Sequence, residues 1–347
     1  MADYTTIDNP GLFFNTVLYT GNGSTGHGIT GVGFQPDWIW IKERGASGFH
    51  VLTDAVRGKT KQVYSNDNQS ENTNSSVVTA FDSDGFTLGD RTEVNNNSDT
   101  YVAWNWLASN TTASNTDGSI TSTVSANTTA GFSILTFTGT GSSATVGHGL
   151  GAVPKMILFK KTSGAQGWGV YHAGVGNTGA LRLDGTDATD TTSNYFNNTS
   201  PTSSVFTVNT NNSVNNSGGT MLAYCFTGKQ GYSKFGKFTG NGNADGPFVY
   251  TGFKPAWVML KETSGTSDWS MYDNKREPFN VADSTLEANT SDAEAAVSGR
   301  PIDILSNGFK LRGDSSFTNE NGATYIYMAF AENPFVTAGT KAAGTAR

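Results

Sequence analysis

Apolar positions along the chain fall into short runs parted by clusters of Gly, Asn, Asp, Ser and Thr, and no long segment carries a helical period. That spacing predicts short strands joined by turns. In the first third of the chain the strands are Thr16–Thr20, Trp38–Lys42, Phe49–Thr53, Gln62–Ser65, Val77–Phe81, Phe86–Leu88 and Tyr101–Leu107. Successive strand side chains point to opposite faces. Trp38, Trp40 and Lys42 therefore share one face of their strand and Ile39 and Ile41 the other, so this strand is expected to be central and covered on both sides. In Tyr101–Leu107, Val102, Trp104 and Trp106 lie on one face and Tyr101, Ala103 and Asn105 on the other. The best helical candidate is Asp292–Val297, an Ala/Glu-rich stretch long enough for one or two turns.

The pattern recurs three times. Gly33-Phe34-Gln35-Pro36-Asp37-Trp38-Ile39-Trp40-Ile41-Lys42 returns as Gly151 to Lys160 and as Gly252 to Lys261. Downstream, Phe49–Asp54 is echoed by Trp168–His172 and Trp269–Asp273, and each unit closes on a Thr-led aromatic strand at Thr100, Thr220 and Thr324. The anchor prolines, Pro36, Pro154 and Pro255, stand about a whole domain apart rather than the ~20–50 residues of a solenoid or propeller repeat. The expectation is an all-β chain of three tandem antiparallel β-sandwich, jelly-roll-like modules. Their bounds are 13–108, 130–228 and 229–336, with an N-terminal arm over 1–12, a polar linker over 109–129 and a fraying tail over 337–347. The long Ser/Thr-rich connector after module one and the short Gly228–Gly231 connector after module two predict tighter packing between the second and third modules.

Composition narrows the function. The chain has 347 residues, 42 glycines, 12% aromatic and only 15% charged residues, against about 25% charged in an average globular domain. This is a polar β-rich surface with enough aromatic mass for small cores. A formal net charge of −7 without any Lys/Arg cluster argues against nucleic acid, which needs a concentrated basic footprint. The first residues carry no basic head or apolar signal region, and no apolar run is long enough to span a bilayer, so membrane insertion and general export are not expected. Cys225, alone of its type, is expected to be a small half-buried strand residue.

The motifs with chemical potential favour structural roles. Asp82-Ser83-Asp84-Gly85 begins like a calcium loop but lacks its later ligands, and the module-three counterpart Leu305-Ser306-Asn307-Gly308 keeps only the glycine, so a hairpin turn is favoured. His27 and His148 each sit in Gly-His-Gly in separate modules without nearby acids or Cys, which predicts loop geometry rather than a metal site. Asp54 with Arg57 recurs as Asp273 with Arg276 and reads as a surface or loop salt bridge. No nucleophile elbow, Walker loop, dinucleotide fingerprint or zincin motif occurs, so no catalytic residues, metal or cofactor are expected. Of the seven tryptophans, Trp38 and Trp257 are expected in the core, whereas Trp168 and Trp269, beside Gly- or Ser-rich loops, are candidates for stacking on a glycan.

The strings Gly33–Lys42, Phe81–Thr87, Thr100–Trp106 and Thr324–Phe335 resemble the repeated jelly-roll-like modules of virion structural and tail-fibre-like proteins of tailed bacteriophages, especially marine ones. The resemblance implies a non-enzymatic virion protein, a tail fibre or fibre-like appendage for host-surface attachment. Its expected partners are other virion proteins, further copies of itself in a trimer, and a host surface glycan. A capsid decoration protein is the alternative, and a glycan depolymerase a more distant one. The fibrous shaft and coiled coil of long fibres are missing from these residues. The first dozen residues, outside the repeat, either dock on a neighbouring virion protein or, over Met1–Gly11, supply an edge strand to module one.

Overall fold

The computed structural model describes residues 5–337. The fold is all-β, and every pair of regular strands is antiparallel. Each module places an opening, a closing, an anchor and a return strand side by side in one sheet. These are Phe14–Thr20, Thr100–Trp106, Trp38–Glu43 and His50–Asp54 in module one. Module two uses Phe132–Thr138, Thr220–Phe226, Met156–Lys161 and Gly169–His172, and module three Ser233–Thr239, Thr324–Pro334, Phe253–Glu262 and Ser270–Asp273. The registers match: Thr20 pairs with Thr100, Thr138 with Thr220 and Thr239 with Thr324, while Trp38 faces Trp106, Met156 faces Phe226 and Trp257 faces Phe330. The three prolines, two residues before Trp38, Met156 and Trp257, are thus equivalent.

Modules one and three extend this sheet to six strands with Lys61–Tyr64 and Asn72–Thr73, and with Ser284–Glu287 and Ala295–Ala296. Module two has only isolated bridges there, Val170 to Leu181 and Ala180 to Asp190, and gains its two extra strands at the opposite edge. Those strands, Ala113–Asn115 and Ser122–Asn127, lie inside the segment expected to be a linker. Its Ser/Thr-rich composition hides an alternation, in which Ile120, Ser122 and Val124 turn inward and are buried. The helix expected over Asp292–Val297 is also absent. Ala295–Ala296 is a strand, and Glu294 next to it is held extended by Arg44 and Arg276.

A smaller sheet forms the second layer of each sandwich. In module one it comprises His27–Thr30, Gly85–Leu88 and Val78–Asp82; in module three Phe248–Tyr250, Gly308–Leu311 and Ile302–Leu305; in module two Ala144–Gly147 and Val205–Val208. Module one therefore holds nine strands rather than about seven, the additions being His27–Thr30 and Asn72–Thr73. Between the layers lies a local core, with Ile39, Ile41 and Tyr101 in module one, Ile157, Phe159 and Cys225 in module two, and Val258, Leu260 and Tyr327 in module three. Cys225 is wholly rather than half buried.

The other face of each large sheet turns inward to a core shared by all three modules. Trp38, Trp40, Trp104 and Trp106 meet Phe132, Tyr224 and Phe226 of module two and Trp257 and Phe330 of module three. Trp38 stacks on Tyr224 with centroids 4.4 Å apart, Phe226 meets Phe330 at 6.1 Å, and Trp257 meets Trp106 edge-on at 5.8 Å. This explains why the anchor strand is apolar on both faces: one lines the local core and one the common core.

Backbone hydrogen bonds close the three modules with a quasi-threefold repeat. Gln166 N–H donates to Asn68 O of module one, Ser267 N–H to Thr186 O of module two, and Gly48 N–H to Ser291 O of module three. A second set runs the other way round the cycle: Glu71 to Thr162 O, Thr189 to Thr263 O and Glu294 to Arg44 O. Residues 5–12 pack against the modules. Ile7 enters the shared core, Pro10 is buried, and Thr6 N–H donates to Gln230 O. Residues 5–12 therefore supply no strand to module one; the remainder of that arm, and the tail beyond 337, lie outside the described residues.

Candidate functional site

Both glycan candidates immediately precede the return strands, and the fold uses both internally. Trp168 is 0% and Trp269 1% exposed, so neither ring can meet a ligand. Each indole crosses a module boundary: Trp168 Nε1 donates to Tyr64 O at 2.7 Å and Trp269 Nε1 to Arg182 O at 2.8 Å. By register His50 stands at the same place in module one, where its Nδ1 accepts from Trp40 Nε1 at 2.9 Å. Glycine- and serine-rich flanks suggested exposure, but they accommodate the neighbouring module. Trp38 and Trp257 are buried as expected.

The recurring Asp–Arg pairs also bind modules together, and they are buried rather than superficial. Asp54 accepts from Arg57 and from Tyr224 Oη of module two at 2.8 Å; Asp273 accepts from Arg276 and from Trp104 Nε1 of module one at 3.1 Å. The Arg276 side chain is 1% exposed and that of Asp273 0%. His172 takes this position in module two, with Nδ1 accepting from Gly174 N–H and Nε2 donating to Tyr327 O of module three. Burial lowers its pKa to about 4, so it stays a neutral tautomer at physiological pH.

Three equivalent lysines, Lys42, Lys160 and Lys261, stand one residue before the ends of the anchor strands and are fully buried. Their ammonium groups donate to backbone oxygens, including Glu43 O, Gln166 O and Glu262 O at 2.7 Å. Burial lowers each pKa to about 8. Below that pH the folded protein buries three charges; above it the folded state sheds protons while the unfolded lysines, near ~10.4, keep theirs. Stability is therefore expected to rise between pH 8 and about 10, by on the order of 1 kcal/mol per lysine, until unfolded tyrosines ionise. Thermal melts across this range should show the rise, and the triple variant Lys42→Met, Lys160→Met, Lys261→Met should flatten it.

The remaining motifs are turns and clamps. Asp82 and Gly85 pair across a hairpin, and the Asp84 carboxylate accepts from Gly31 and Gly33 N–H, leaving no calcium loop. His148 Nδ1 accepts from Leu150 N–H, and His27 Nδ1 lies 2.8 Å from Asn95 Oδ1. Among the described residues no three His, Cys, Asp or Glu side chains group as metal ligands. Three buried asparagines were not singled out from the sequence: Asn95, Asn215 and Asn319 donate to Gly89 O, Asn209 O and Gly313 O and accept from the N–H of Asn22, Thr140 and Asn241. Their sequence signal is the repeat Gly21-Asn22-Gly23, Gly139-Thr140-Gly141 and Gly240-Asn241-Gly242. A Cβ on Gly21, Gly139 or Gly240 would fall within 2.3 Å of a backbone oxygen.

These side chains are committed to the interior. Among the open clefts of the described residues, a polar one of about 380 Å³ lies over Ser109, Asn115 and Val124, and one of about 360 Å³ lies at the junction of modules two and three. Lys155, Lys229, Lys234, Phe235 and Tyr250 line the junction cleft with the 228–231 turn, and its lining includes no carboxylate. Tyr250 is 45% exposed, with Lys234 Nζ 5.0 Å from its ring centre. Burial lowers the pKa of both Lys229 and Lys234. The turn itself is fixed by the Lys229–Ser233 bridge and by Thr6. These lysines escaped sequence reasoning because they are scattered at 155, 229 and 234 and gather only when the modules close.

Fold and surface together define a three-module β-sandwich protein with a single shared core, whose repeated polar residues are architectural. The chain belongs to the family described as "Domain of unknown function (DUF7483)", whose model matches residues 9–334 and so takes in all three modules. No curated protein and no solved structure matches it.

Proposed function

We propose that the chain is a non-enzymatic structural protein of a tailed bacteriophage particle, a tail fibre or fibre-like appendage that presents β-sandwich modules to the host surface. The observation that carries this reading is where the recurring ionisable residues go. Asp54, Arg57, Asp273, Arg276 and the three buried lysines all serve contacts within or between modules, and none lines the cleft. Such an arrangement suits a rigid display element, since these ionisable groups are spent on holding the modules together. The resemblance of the anchor and closing strands to virion modules supports the particle as its location. Self-association into a trimer would multiply the display, because weak sites gain avidity when several act together. No described helix is long and apolar enough to cross a membrane.

Gold-labelled antibody on purified particles of the encoding phage tests the reading. Label at the tail is the expected result. Label over the head would favour a capsid decoration protein, and particles that carry no label would overturn the virion assignment altogether.

A further inference from the structure

We propose that the cleft between modules two and three binds an acidic saccharide, its carboxylate held by Lys155, Lys229 and Lys234 and a sugar ring seated against Tyr250. Such binding would depend on the cleft alone, whether or not the protein belongs to a virion.

The three-module fold supplies its own control. Lys155 follows Pro154 as Asp37 follows Pro36 and Ala256 follows Pro255, so the same architectural position carries a base, an acid and a neutral residue. Asp37 at its own junction is buried and accepts from the backbone N–H of Ala108 and Asn110. At the third junction Lys254 is paired with Glu332. The fold thus has no need of a lysine at 155, and only one of three equivalent junctions is basic.

Among the described residues the lysines there have no acidic partner. Lys229 Nζ donates to Thr128 O and Lys234 Nζ to Tyr250 O at 2.7 Å, and neither these two nor Lys155 forms a salt bridge among the described residues. Three lysines line a concave surface whose described lining holds no carboxylate, in a chain of net charge −7. An anion entering the cleft gains interactions that the protein has not already satisfied. The partly exposed Tyr250 ring and the neighbouring Phe235 add apolar surface for the C–H face of a pyranose, which a bare inorganic anion would not use. A volume of about 360 Å³ lies within the usual ~300–1,000 Å³ range of small-ligand sites.

Calorimetric titration of the full chain with oligogalacturonate, a neutral maltooligosaccharide and inorganic phosphate tests the proposal. Oligogalacturonate should bind, and its affinity should fall several-fold between 50 and about 300 mM salt as the lysines are screened. Lys155→Glu, a change at an exposed position, and Tyr250→Ala should each weaken binding about 10-fold or more while the melting temperature stays within a few degrees of the parent. Equal binding of the neutral sugar would overturn the role of the lysines. Phosphate binding as tightly as the oligosaccharide would overturn the role of Tyr250, and unchanged affinity in both variants, or no oligogalacturonate binding at 50 mM salt, would overturn the site.

Discussion

Truncation of Trp106 to alanine is expected to destabilise the entire chain, not the first module alone. Its ring is 0% exposed and touches Phe14 and Trp38 of its own module and Trp257 and Phe330 of the third. Removing a buried Trp costs ~3–5 kcal/mol, because the transfer energy is lost and the surrounding rings close only partly over the cavity. That is a large share of a typical net stability of ~5–15 kcal/mol. In independent modules, the loss would appear as one early melting step with the others unchanged. With a shared core all tertiary signals should move down together. Near-ultraviolet circular dichroism and tryptophan fluorescence of the variant distinguish the two patterns.

Replacing Arg276 with methionine should be comparably severe, by ~3–5 kcal/mol, because Asp273 would then hold a buried charge without its cation. The remaining donors to Asp273 are the backbone N–H groups of Lys275 and Arg276 and Trp104 Nε1, which cannot replace a full positive charge. Adding Asp273→Asn to Arg276→Met should recover part of the loss at neutral pH. Urea denaturation of the parent, single and double variants at neutral pH measures these differences. A double variant no better than the single one would mean that the Arg276 stem matters for packing and not for charge.

Much of the architecture was legible because the repeat is strict where the backbone is constrained. The seven strands expected in module one exist with small shifts at their ends, and Trp38, Trp40 and Lys42 do share a face. Two apolar faces on one strand announced a covered, central strand, but periodicity cannot say what covers it. The second cover is another module. The same gap accounts for Trp168 and Trp269, whose small flanking residues make room for protein instead of solvent, and for Asp273, which reads as superficial until Trp104 and Arg276 close over it. Composition misled at 109–129 because inward Ser122 counts as polar although its hydroxyl is satisfied by Gly147 O. The cleft depends on residues far apart in sequence, and no local pattern marks it.

The shared core is tested most directly by differential scanning calorimetry of the intact chain. A single transition, with the calorimetric enthalpy equal to the van't Hoff enthalpy, is the result this structure predicts, since unfolding any one module would bare the aromatic face of the other two. Three resolvable transitions, each with a van't Hoff enthalpy near that of a ~100-residue domain, about 60–80 kcal/mol, would contradict it.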